Sequence, residues 1–168
     1  MTGLTGGKEG FRGLKQRLTK KIGFGWYVMP LLGAPILVGA VYALLSLFSS
    51  GFTLGVLSSD DKAAYTIAGL ITGLAAGFFE EIGWTGFATP RLRKRHSVLK
   101  TGLLIGIVWA VWHVFPGIWL GYASGTIKNT ISLASYVLDP FFFLVLYRVF
   151  MVWLYDRTAS LSAAMVTH

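Results

Sequence analysis

Apolar residues are not spread evenly along the chain. They fall into four long runs, at residues 24–48, 63–88, 101–122 and 131–154, with short polar stretches between them. Each run reaches the roughly 20 residues that an α-helix needs to cross a bilayer. Each run is therefore read as a membrane-spanning helix. A fifth run starts near Ser160 and stops with the chain at His168. The expected architecture is all-α: a polytopic transmembrane helical bundle of four full spans and a truncated fifth. Residues 1–23 form a separate basic segment, and the membrane domain is taken as 24–168.

Glycine spacing adds to the pattern. Gly69, Gly73 and Gly77 recur every four residues in the second run, and Gly102 and Gly106 do so in the third. Small residues at this spacing share one helix face and let two backbones approach closely in lipid. Both faces are predicted to contact neighbouring helices. In the N-terminal segment, Leu4, Phe11, Leu14 and Leu18 suit a short amphipathic helix on the membrane surface. A solvated tail fits that segment equally well.

Composition agrees with this layout. Apolar residues make up 54% of the chain and charged residues 13%, and the mean hydropathy is +0.63. A small water-soluble domain has no way to cover so much apolar surface. There is no cysteine, so disulfide and thiolate chemistry are excluded.

The net charge of +8 would suit nucleic acid, but its placement points elsewhere. Lys8, Arg12, Lys15, Arg17, Lys20 and Lys21 precede the first run. Arg91, Arg93, Lys94, Arg95 and Lys100 fill the 89–100 loop, whereas the stretch at 49–62 carries Asp60 and Asp61 against one lysine. Basic loops therefore alternate with poor ones, as the positive-inside tendency requires. The partner expected from this charge is a lipid bilayer, not nucleic acid. The protein is read as multi-pass, in a prokaryotic plasma membrane, with the N-terminus and the 89–100 loop in the cytoplasm.

Against this apolar background the buried ionisable groups are the candidates for chemistry. A charge at mid-membrane costs roughly 2.5–3.5 kcal/mol on insertion scales, so such residues face a cavity or a partner. Glu80 and Glu81 lie in the second run. Adjacent residues on a helix point about 100° apart, so one carboxylate is expected to face the site and the other to pair nearby. An alternative ends the helix at Phe79 and leaves both in the headgroup layer. His113 lies in the third run within Trp109-Ala-Val-Trp-His113-Val-Phe-Pro116. Trp109 is one turn before it on the same face, and Pro116 is expected to kink or end the helix just beyond. A histidine and a glutamate can activate water, either as a hydrogen-bonded pair or as metal ligands. Asp139 and Arg148 are separated by roughly 13 Å of helix, too far for a direct pair; a structural role is expected for both. His96 lies in the basic loop and is expected to be solvated.

Three stretches together resemble the CPBP family, the CAAX-protease and bacteriocin-processing intramembrane proteases also called the Abi family. Phe79-Glu80-Glu81-Ile-Gly-Trp84-Thr85-Gly86-Phe87-Ala-Thr-Pro90-Arg-Leu92 is similar to its first motif. Trp109-Ala-Val-Trp-His113 is similar to the second, and Trp153–Leu161 followed by His168 to the approach to the third. The resemblance implies an intramembrane endopeptidase acting on a peptide or lipidated-peptide substrate, of CAAX or bacteriocin type. It implies that Glu80 is the general base, that His113 is its partner on the water, and that His168 is an oxyanion donor or further ligand. Glu80, His113 and His168 would be the ligands if a metal is bound; zinc and metal-free base catalysis both fit this set.

Two departures from the family pattern stand out. Thr85 occupies the place of an arginine that would pair with Glu81. Glu81 is therefore expected to be protonated or to find an arginine from elsewhere. The Asn or Asp that should follow His168 is also missing, and the natural chain is expected to continue. These departures leave an alternative open: a catalytically weak or inactive homologue acting as a membrane immunity or scaffold protein. A proton-coupled transporter is a further class, disfavoured by the lack of an internal span repeat.

Overall fold

The computed structural model describes residues 3–48 and 55–168. Among them there is no β-strand. The helices are α1 (Gly3–Leu18), α2 (Gly25–Ser46), the short α3 (Gly55–Ser58), α4 (Lys62–Gly83), α5 (Thr89–Leu92), α6 (Val98–Ala123), α7 (Thr130–Thr158) and α8 (Leu161–Thr167). A single wide π-turn, Trp84–Ala88, joins α4 to α5 without a break. Among the described residues, four helical segments are long and apolar enough to cross a membrane: Gly25–Ser46, Lys62–Leu92, Val98–Ala123 and Thr130–Thr158. The all-α polytopic bundle expected from the apolar runs is the fold observed. The first part of the 49–62 stretch, residues 49–54, lies outside the described residues.

Polar side chains set several helix starts. The Asp61 carboxylate accepts from the Ala64 amide at 2.8 Å, and the Ser97 hydroxyl from Lys100 at 3.2 Å. Asn129 and Ser132 form a reciprocal capping box at the start of α7. Each occupies amide donors that the first helical turn leaves without a partner. The α7 helix ends at Ala159, whose φ of 48° and ψ of 27° are left-handed. That residue reverses the chain into α8, which Ser160 caps.

Helices α6 and α7 form the tightest pair. A Cβ added to Gly102 would stand 2.5 Å from Val149 Cα, and one on Gly106 would stand 2.8 Å from Val145 Cα. The predicted close approach at these two glycines is therefore real. The other glycine face is real only in part: Gly77 abuts α8, whereas Gly69 and Gly73 face open space. The buried core comprises Ile105, Trp109, Ala110, Val145, Met151, Val152 and Leu154, closed over by Leu161 of α8. Leu31 and Ile36 of α2, Leu70 and Leu74 of α4, and Phe142 and Phe143 of α7 are exposed, as suits surfaces that face lipid tails.

Three local readings left open by the sequence are decided. The helix does not end at Phe79; α4 runs to Gly83 and then into the π-turn. Nor does α6 end at Pro116, but continues to Ala123. One missing amide bond is tolerated where the neighbouring helix α7 holds the segment in place. Helix α7 likewise passes through Pro140, and Asp139 is exposed. The N-terminal segment is a helix, kinked at Gly7 (φ 54°). It is anchored by Arg17, which donates to the Gly86 carbonyl at 3.0 Å and to the Tyr155 hydroxyl at 3.2 Å. The N-terminal segment and the 89–100 loop therefore lie at the same end of the bundle.

Candidate active site

Four helices converge on the glutamate pair. Glu80 and Glu81 come from the last turns of α4, Trp109 and His113 from α6, Arg148 from α7, and His168 from the end of α8. Gly77 explains how α8 gets close enough. Its missing side chain makes room for the Met165 carbonyl and leaves His168 Cβ 3.1 Å from where a Cβ would sit. Tyr27 of α2 and Tyr147 of α7 brace the same short helix, through Ser162 at 3.1 Å and through the Thr167 carbonyl.

The two carboxylates have different surroundings, as their 100° offset requires. The Glu81 and Arg148 side chains are fully buried, at 0% exposure each, whereas Glu80 keeps 17%. Arg148 Nη1 donates to both Glu81 oxygens at 2.9 Å. The Thr85 hydroxyl also donates to Glu81, and His168 Nδ1 lies 2.9 Å from Glu81 Oε1. Of the two states left open for Glu81, the structure shows the ion pair with a distant arginine. Thr85 contributes a hydrogen bond, and α7 supplies the cation.

Glu80 accepts from two indole N–H groups, Trp109 at 2.8 Å and Trp84 at 3.3 Å. Its other oxygen is 3.9 Å from His168 Nε2. His168 thus sits between the two glutamates. Trp109 joins the two halves of the site, because its ring also lies under the Arg148 guanidinium, 4.1 Å from centroid to Cζ. Such a stacked cation is attracted by the face of the ring. Holding Trp109 flat under Arg148 aims its N–H at Glu80.

His113 is placed differently from the other three. Its Nδ1 is 3.0 Å from the Trp109 carbonyl. A carbonyl only accepts, so Nδ1 is the donor in this bond and Nε2 is left directed away from the helix backbone. The ring packs edge-on against Trp109 and Trp112, with centroids 5.1 and 4.9 Å away. His113 turns back to its own helix, and Trp109 touches both it and Glu80, so the two residues are joined through the indole and make no direct bond in this arrangement. Among the described residues, no three histidine, aspartate or glutamate side chains are gathered closely enough to hold a metal ion.

Sequence reasoning assigned Arg148 a structural role and overlooked Trp84 and Trp109 as donors to Glu80. Arg148 did carry a signal, being an isolated cation in an apolar run.

Residues 62–168 match the family model described as type II CAAX prenyl endopeptidase Rce1-like. The chain belongs to this family. The match begins at the first residue of α4 and contains every site residue named above. In this Rce1-like chain, a segment of 43 residues is 49% identical to CAAX prenyl protease 2 of Methanococcus maripaludis. That segment is 26% of this chain and 16% of the relative, so the chain spans a small part of the curated protein it matches. No solved structure matches. The four membrane-length helices and the family together make this Rce1-like protein an integral membrane protein.

Proposed function

We propose that this Rce1-like protein is an intramembrane endopeptidase that hydrolyses a peptide bond near the end of a lipidated, CAAX-type peptide. The observation that carries the reading is the meeting of Glu80, Glu81 and His168 around the Trp109 indole. General-base hydrolysis needs a carboxylate that can reach water and is held in one orientation. Glu80 is the member of the pair that keeps some exposure, and two indole donors fix it. Its unshared oxygen faces His168 and takes a proton from water.

The resulting hydroxide adds to the scissile carbonyl carbon, and the carbonyl oxygen becomes an oxyanion. His168 is anchored through Nδ1 to Glu81; in its protonated form it donates Nε2–H to that oxyanion. His113 offers Nε2 to a hydrogen of the water or of the substrate amide. Collapse of the tetrahedral intermediate breaks the C–N bond. The departing nitrogen takes the proton from Glu80, leaving a carboxylic acid, a free amine and Glu80 restored; the new acid then gives its proton to the amine, so the products leave as carboxylate and ammonium. Each step uses only protein groups and water. Glu81 and Arg148 do not touch the reacting atoms; they hold His168 and Trp109 in place. Thr85 alone would have favoured a non-catalytic homologue. With Arg148 supplying the cation to Glu81, that argument loses its force.

The test is cleavage of a panel of prenylated and unprenylated peptides by the purified protein and by Glu80→Gln, with and without a chelator. General-base loss is expected to lower the rate about 10²–10⁴-fold. Equal rates for the two proteins would refute the assignment. Loss of wild-type activity in chelator, restored by zinc, would refute the metal-free course.

A further inference from the structure

The chain carries a second built feature that the proteolytic reading does not use. A cavity of about 720 Å³ opens between α1, the π-turn and the end of α7. Its walls include Glu9 and Arg17 of α1, Gly86, Arg91, Lys94 and Tyr155. None of Glu80, Glu81, His113 or His168 lines it. A second hollow of about 380 Å³ adjoins it through Arg91 and Lys94 and adds Arg95 and His96. Basic groups thus outnumber the single carboxylate, Glu9.

The cavity owes its form to local backbone chemistry. The usual helical donor to the Gly86 carbonyl would be the amide of residue 90, which is Pro90 and has no N–H. Arg17 donates there instead and so pins α1 across the opening. Leu14 packs on Gly86, with its Cδ1 3.3 Å from where a Cβ would be. Arg91 lies flat on the Phe87 ring, 3.5 Å from its centroid, and donates to the Phe87 carbonyl at 3.1 Å. The guanidinium is therefore held in place instead of trailing in solvent.

Depth decides what would fill the space. Gly86, Pro90 and Arg91 belong to the last turns of the span that ends at Leu92, which places the cavity at the level of lipid headgroups. Exposed apolar residues such as Phe11, on the helix that roofs the cavity, are 61% accessible and suit a helix lying in that layer. We propose that this cavity binds the phosphate of an anionic glycerophospholipid, with Arg17, Arg91 and Lys94 as its cationic ligands. Planar guanidinium groups match phosphate oxygens in pairs, and the lysine adds a point charge. The same phosphate chemistry could come from a free anion, but only the lipid enters from the layer that the cavity faces.

The test uses the full chain in neutral detergent, titrated with short-chain phosphatidylglycerol, with phosphatidylcholine of equal chain length, and with inorganic phosphate. Binding is read by calorimetry. Wild-type protein is expected to prefer phosphatidylglycerol by at least about tenfold, and Arg91→Gln and Lys94→Gln each to weaken it about fivefold. Glu9→Gln removes a like charge and is expected to tighten it, a gain that a misfolded variant does not mimic. Phosphatidylcholine binding is expected to stay the same in all three variants. Equal affinity for the two lipids, or variants that leave the preference intact, would overturn the proposal. Full displacement of the lipid by millimolar inorganic phosphate would overturn it too, in favour of a free-anion site. The readout is binding alone, so its outcome is independent of whether the protein cleaves peptides.

Discussion

Replacing Arg148 by methionine tests the organisation of the site most directly. The change keeps most of the side-chain volume but removes the guanidinium from a position with no solvent access. Glu81, equally buried, would keep only Thr85 and His168 as side-chain donors. Removing one partner of a buried pair typically costs about 3–5 kcal/mol, because the other charge stays behind without compensation. Losing the stacked cation over Trp109 adds about 0.5–2 kcal/mol. The native pair is itself imperfect, since Arg148 Nε and Nη2 have no hydrogen-bond partner among the described residues. Each buried donor left unmade costs about 1–3 kcal/mol. Taking both charges away should therefore hurt less than taking one. Arg148→Met is expected to lose at least about 3 kcal/mol, and Arg148→Met with Glu81→Gln to recover a substantial part of it. Reversible unfolding in mixed micelles, run as a double-mutant cycle, measures the coupling. Additive losses, or an Arg148→Met cost below about 1 kcal/mol, would refute the claim that these two groups compensate each other.

Trp109→Phe keeps a ring under Arg148 but removes the 2.8 Å donor to Glu80; kcat on a cleaved peptide is expected to fall by at least about tenfold, since hydrogen bonds to charged groups are worth about 1.5–3 kcal/mol. Gly102→Ala, whose new Cβ would meet Val149 Cα, is expected to cost about 1–3 kcal/mol in the same unfolding assay. By contrast, Gly69→Ala and Gly73→Ala, in open space, should stay within about 0.5 kcal/mol of wild type. Ala159→Gly relieves a left-handed alanine and is expected to stabilise the protein by about 0.5–1 kcal/mol, with no loss of activity.

The spans were legible because hydrophobic length alone identifies a membrane helix. Their ends were less so. The second run reads as one helix to Ala88, whereas the chain changes to a wide turn at Trp84. That turn depends on Pro90 withholding an amide and on the Thr89 hydroxyl bonding back to the Trp84 carbonyl, neither of which alters apolar periodicity. The unequal environments of Glu80 and Glu81 followed from helix geometry. The identity of Glu81's partner did not, because Arg148 is distant in sequence and only the packing of α6 on α7 brings it near. Sequence left the N-terminal segment balanced between helix and tail; one long-range bond from Arg17 decides it. Glycine spacing marked two faces of contact equally, yet only positions opposite another backbone were used.

The wide turn at Trp84–Ala88 has a further consequence for how the motif helix is addressed. Accommodating one extra residue in a turn rotates everything downstream by about 100° relative to an uninterrupted α-helix. The turns before it face α8 and the carboxylate cluster, and those after it face α6 and the N-terminal helix. The turn thus works as a phase shifter between two neighbourhoods on one continuous rod. Deleting a single residue there would leave both glutamates in place but swing Arg91 and Lys94 away from α1. Any insertion or loss in this five-residue stretch should therefore separate the chemistry inside the membrane from the contacts at its surface.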